Sequence, residues 1–229
     1  YLESGFASWM DRFEAERRAI EKAGDPKALE AWMARVPFPE ECRPDEDEEQ
    51  ALVARKGIEH EERYLARLKA EGRRVVEVSR DGADPLGTTI AALQGGVDCV
   101  YQARLELEGD GEGAAPSRLA GWADFLVRRD GPSRLGAHHY EVLDTKLARS
   151  PKPYFLIQLC AYAEMLEAIQ GVRPAKVAVV LGTGEERTFE TESFFHYYRR
   201  LKAAFLEFQG AFDPARMPRP GDSASHGTW

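Results

Sequence analysis

At residue 97 the period of the apolar side chains changes. Upstream they recur at three- and four-residue steps, whereas Val97, Cys99, Tyr101, Ala103, Leu105 and Leu107 alternate with Asp98, Gln102, Arg104, Glu106 and Glu108. Alternate residues of a strand share a face, so this run predicts a half-buried β-strand. A Gly-rich stretch (109–113) leads to a second strand, Leu119 to Arg128, and Asp130-Gly131-Pro132 is expected to make the next turn. His139 to Leu147 is then the third strand. Three strands joined by short connections most simply form an antiparallel meander.

Helical periodicity surrounds the meander. Phe6, Trp9, Met10, Phe13 and Ile20 give an amphipathic helix over residues 1–22, and Asp25 with Pro26 opens a second one. Leu52, Val53, Ile58, Tyr64, Leu65 and Leu68 predict a longer helix that Gly72 stops. Val75 to Val78 reads as a short strand, and Thr88 or Thr89 as the cap of a brief helix ending before Gly95-Gly96. After the meander come a helix over 153–170, strands at Lys176–Leu181 and Arg187–Phe189, and a final helix from about 192 to 209. The order helix, three strands, helix, strands, helix predicts an α/β fold with a mixed central sheet flanked by helices.

Pro37, Pro39 and Pro44 join an acid-rich run to form an extended connection, which places a boundary near residue 50. The expected organisation is a helical extension and acidic linker (1–49), a core (50–212) and an irregular tail (213–229). The opening at Tyr1 and the composition of the tail predict a piece of a longer chain. No stretch is apolar for long enough to span a bilayer and no leader opens the sequence, so no membrane partner and a cytoplasmic location are expected. Cys42, Cys99 and Cys160 are scattered, which argues against a disulfide framework or a zinc site. The net charge of −8 is concentrated: residues 40–49 carry −6, leaving −2 elsewhere, so the sum does not exclude a nucleic-acid partner.

Within the third strand, Asp144 and Lys146 share a face with Tyr140 and Val142. An acid and an amine in an apolar strand cost desolvation unless they find partners. An edge strand with an incidental ion pair is one explanation, and a functional site is the other. Asp124, in Gly121-Trp122-Ala123-Asp124-Phe125-Leu126, lies in an otherwise apolar strand next to it. By itself it is equally a turn-proximal aspartate bonded to backbone amides. Two carboxylates on neighbouring strands can reach one hard cation, Mg²⁺ or Mn²⁺, and with a lysine beside them suit metal-assisted phosphodiester hydrolysis. His60 is an imidazole that would bias such a site toward Mn²⁺, although a lone helical histidine is more often structural, and Glu61 is the fallback ligand. Gln158 and Tyr162, four apart on one helix face, are either packing residues or contacts to a phosphate or base.

In order along the chain, Gly57-x-x-His60, Gly121-x-x-Asp124, Asp144-x-Lys146 and Gln158-x-x-x-Tyr162 resemble the motifs of the RecB-like branch of the PD-(D/E)XK nuclease superfamily. The likeness spans residues 50 to 210, and the opening Glu3-Ser4-Gly5-Phe6-Ala7-Ser8-Trp9 is similar to a bacterial group of RecB-like proteins often linked to helicases. The resemblance implies a restriction-endonuclease-like core with a divalent metal held by His60, Asp124, Asp144 and the Thr145 carbonyl. It also implies Lys146 serving the attacking water and Gln158 with Tyr162 positioning DNA. Ala123-Asp124 stands where the family has Pro-Asp. Some relatives carry a four-cysteine iron-sulfur cluster, and this chain lacks three of the cysteines, so no cluster is expected. The activity implied is a DNA nuclease acting on single strands or ends in recombination or repair, with a helicase domain in cis or trans as partner. The alternatives are a non-catalytic DNA-binding or scaffolding domain, and an RNA-directed phosphodiesterase.

Overall fold

The computed structural model describes residues 4–35, 48–108 and 118–222. The proline-rich acidic connection, Cys42, the Gly109–Gly113 turn and the end of the tail lie outside the described residues. Two compact units are present, one over 51–202 and one joining residues up to 50 with those from 203 onward.

The larger unit is built on one open sheet of six strands in the order β1-β2-β3-β4-β5-β6. These are β1 (Val75–Glu77), β2 (Cys99–Glu108), β3 (Arg118–Ser133), β4 (Gly136–Lys146), β5 (Lys176–Leu181) and β6 (Glu186–Glu190). As the meander predicts, β2, β3 and β4 are antiparallel neighbours. β1 runs parallel to β2, β5 runs parallel to β4, and β6 is antiparallel to β5. A parallel pair needs a crossover, and α5 (Pro153–Gln170) supplies it between β4 and β5. The chain is therefore α/β, with a mixed sheet flanked by helices.

Each face of the sheet has its own core. Phe155, Leu156, Leu159, Ala163 and Leu166 of α5 pack on Leu105, Tyr140, Val142, Val177 and Val179. On the other face Tyr64, Leu65 and Leu68 of α3 (Glu48–Ala70) pack on Cys99, Phe125, Leu143, Ala178 and Val180. Burial of each large apolar side chain is worth about 1.5–3 kcal/mol, so the helices are held chiefly by these stripes. In the smaller unit α1 (Gly5–Ala23) and α2 (Pro26–Met33) pack Phe6, Trp9, Phe13 and Trp32 together with Phe208 and Phe212. Asp25 caps α2 by accepting from Ala28 N at 3.0 Å, in the role its position predicts. The chain from residue 203 belongs to this unit, including the last turns of α6 (Glu192–Gly210) and the described part of the expected tail.

Three local expectations are corrected. The cap of α4 (Pro85–Gln94) is Asp84, whose Oδ1 accepts from Gly87 N at 2.8 Å. Thr89 lies inside that helix, where its hydroxyl donates to Pro85 O and accepts from Arg104 N. Asp130-Gly131-Pro132 is not the hairpin turn: β3 continues through a register shift to Ser133, which pairs with Gly136. The single buried parity expected for β2 also fails. Cys99 and Tyr101 join the α3 side, whereas Val100, Ala103 and Leu105 join the α5 side, so the strand turns over at Gln102. Gln102 has a left-handed φ of 54° at this point, and β3 changes face at the opposite position, between Phe125 and Ala123.

Candidate active site at a fork in the sheet

The β3–β4 ladder ends at the rung Phe125↔Leu143, one residue short of Asp124 and Asp144. Beyond it the strands part: β3 continues against β2 as far as Arg118, and β4 continues against β5 as far as Lys146. A fork of this kind leaves backbone donors without a ladder partner, and side chains must satisfy them. Asp124 does so, its Oδ2 accepting from Thr145 N at 2.9 Å and from Thr145 Oγ1 at 3.0 Å. The Thr145 hydroxyl thus has a partner. Strand parity alone predicts a contribution only through the backbone carbonyl, and the splaying of β3 from β4 is what brings Asp124 within reach.

Asp144 is 1% exposed, and no backbone donor reaches its carboxylate oxygens. Its Oδ2 lies 2.5 Å from Lys146 Nζ in a close ion pair. Burial, and then the adjacent Asp124, push the Asp144 carboxyl up to about 8, against the pull of Lys146. For Lys146, burial acts to lower the pKa, but the charges of Asp144 and Asp124 outweigh it and hold the ammonium above its ordinary value. The Phe155 ring lies 5.7 Å from Lys146 Nζ and limits where the amine can go.

α5 brings Gln158 and Tyr162 to the same place. Gln158 Nε2 donates to the Tyr162 hydroxyl at 3.1 Å, and burial raises the phenol while it feels Asp144, Asp124 and Lys146. Gly121 makes this approach possible. A Cβ there would stand 2.6 Å from Tyr162 Cε1, so the glycine of Gly121-x-x-Asp124 is required by the packing of the tyrosine.

The helix α3 presents two neighbours differently. His60 is buried with Nε2 3.3 Å from the carbonyl of Val180, the β5 residue paired with Thr145. Its hydrogen bond is thus to β5 and not to a carboxylate. Glu61 faces β2, where it accepts from Gln102 Nε2, and burial followed by the charge of Asp124 raises its pKa. Among the described residues no three His, Cys, Asp or Glu side chains converge as a ready metal shell. Two carboxylates do meet at the fork. Mg²⁺ commonly takes one or two carboxylates and keeps waters and phosphate oxygens for its other positions, and buried Asp144, with no backbone donor on its oxygens, together with Asp124 fits that demand. Gln102 and its neighbour Arg80 escape notice in the sequence, since neither stands in a motif and the left-handed φ has no sequence mark at a glutamine.

No protein-family model matches the chain, and comparison with curated proteins gives no match either. No helix of the described residues is long and apolar enough to cross a membrane.

Proposed function

We propose that the chain is a divalent-metal-dependent nuclease of the RecB-like PD-(D/E)XK type that hydrolyses DNA phosphodiester bonds, with single strands or ends in recombination or repair as its substrate. The observation that carries this reading is buried Asp144, set beside Asp124 and 2.5 Å from Lys146 at the fork. An incidental edge-strand ion pair would be solvated, whereas β4 is an interior strand and Asp144 is buried. The motif resemblance supports the substrate class.

Asp124 and Asp144, with the Thr145 carbonyl, would hold Mg²⁺ or Mn²⁺. Such an ion, when bound, polarises phosphorus and lowers the pKa of water. Asp124 is kept in place by the two Thr145 donors, so its orientation is set before any ligand arrives. Lys146, held as an ammonium, donates to and orients the attacking water or a phosphate oxygen. Gln158 and Tyr162 offer an amide and a phenol on the α5 side for a phosphate or base.

The test is cleavage of labelled single-stranded DNA, duplex DNA and RNA in Mg²⁺ or Mn²⁺ by the wild type, Lys146→Ala and Asp144→Asn. Cleavage by the wild type that is lost in both variants, each shown folded by its melting curve, supports the proposal. Equal activity in wild type and variants rules it out, as does binding of DNA without cleavage in any metal, the outcome expected of a scaffolding domain.

A further inference from the structure

Gln102 lies in β2 between the rungs Tyr101↔Phe125 and Ala103↔Ala123, which puts it in the row opposite Asp124. It is the one described non-glycine residue with positive φ, at 54°. A glutamine gains nothing from that conformation locally, and its cost is tolerated where surrounding contacts demand it. The contacts are specific. Arg80 donates to Gln102 Oε1 through Nε at 2.9 Å and Nη2 at 2.5 Å, and its guanidinium lies 5.1 Å from the centre of the Trp122 ring. Since an arginine can only donate, the amide oxygen must face it and the NH₂ must face Glu61.

We propose that Gln102, with its amide turned by Arg80, is a positioning residue of the metal site: it fixes the Glu61 carboxylate at the β2 row that stands opposite Asp124 and so sets how tightly the divalent cation binds. This rests on the divalent-metal reading of the fork. Without the amide donor, nothing holds the Glu61 carboxylate against β2, and its side chain turns away to solvent. Its contribution to the potential felt by the cation is then lost. The pairing Arg80 to Gln102 to Glu61 crosses from the loop after β1 to β2 and then to α3, so three separate segments are held to one geometry.

Calorimetric titration of the full chain with Mn²⁺ tests this with wild type, Gln102→Gly, Glu61→Gln and the double variant, each with a melting curve. Glycine suits the left-handed backbone, so a merely structural glutamine predicts unchanged or higher stability and unchanged Mn²⁺ affinity in Gln102→Gly. The expected result is about a tenfold weaker Mn²⁺ affinity in Gln102→Gly with no loss of melting temperature, in the range found for residues that orient ligands. The double variant should bind no more weakly than Glu61→Gln, because Gln102 acts through Glu61. Wild-type affinity in Gln102→Gly, or additive losses in the double variant, overturns the inference while leaving the metal site standing. No Mn²⁺ binding by the wild type overturns the metal reading and this inference together.

Discussion

Asp124 takes the place of a missing rung for Thr145. Where the β3–β4 ladder stops, its Oδ2 accepts both the Thr145 backbone N–H, at 2.9 Å, and the Thr145 hydroxyl, at 3.0 Å. A hydrogen bond to a charged acceptor is worth roughly 1.5–3 kcal/mol. Thr145→Ala should therefore weaken Mn²⁺ binding and DNA cleavage by about tenfold or more, while Thr145→Ser retains both. Calorimetry and initial rates on a labelled oligonucleotide measure this, and a Thr145→Ala protein indistinguishable from wild type would show that the hydroxyl does not hold Asp124.

Gly121→Ala drives a methyl group into the Tyr162 ring. The ring must move, and the Gln158 contact moves with it. A loss of about 1–3 kcal/mol is expected from overpacking, read from urea denaturation. The same substitution in a Tyr162→Ala background should cost much less, since nothing is left to collide with. Equal costs in both backgrounds would place the strain elsewhere.

The buried carboxylate makes stability depend on pH. An aspartate in the unfolded chain titrates near about 3.9, whereas Asp144 in the fold is pushed up to about 8 by burial and Asp124. Between those values the folded state holds the extra proton, so stability falls as pH rises through the window and is lowest above it. Glu61, also raised by burial and Asp124, acts in the same direction. Lys146, held above its ordinary value, keeps its proton across this range and adds no slope. In EDTA the protein should melt at a lower temperature at about pH 9 than at about pH 5, and Asp144→Asn should reduce the difference. A flat profile in the wild type contradicts the buried-acid assignment.

Gln170 stitches α5 to the sheet. Fully buried, it accepts from Tyr140 N at 2.8 Å and donates to Tyr140 O at 3.1 Å and Val172 O at 2.9 Å. Gln170→Leu keeps the volume but strands these backbone groups. A destabilisation of about 2–4 kcal/mol is expected by denaturant titration, with Mn²⁺ affinity of the folded protein unchanged. A loss below about 0.5 kcal/mol would mean the amide is replaceable by water.

Much of the frame is legible in the residues. Alternation marks β2 and places Asp144 with Lys146, the four-residue step puts Gln158 beside Tyr162, and Asp25-Pro26 opens α2 where expected. Less legible is whatever depends on rotation about a helix or on backbone that leaves its regular conformation. His60 and Glu61 are adjacent in sequence, and one step along a helix turns the side chain by about 100°. The resemblance ranks the histidine first, while the docking of α3 turns Glu61 toward Gln102 and His60 toward the Val180 carbonyl. The hairpin turn is likewise displaced, because Asp130-Gly131-Pro132 serves as a register shift within a longer arm.

The sequence by itself determined the period of each element, their order, and so an α/β sheet with Asp124, Asp144 and Lys146 on neighbouring strands. Only the tertiary structure decided that β3 and β4 part immediately before the two aspartates. The reason is that ladder pairing is a contest among neighbours: β3 stays with β2, β4 stays with β5, and no local pattern records where that contest changes hands. The fork buries Asp144 against Lys146 and gives Asp124 the two Thr145 donors, while left-handed Gln102 stands in the β2 row opposite Asp124.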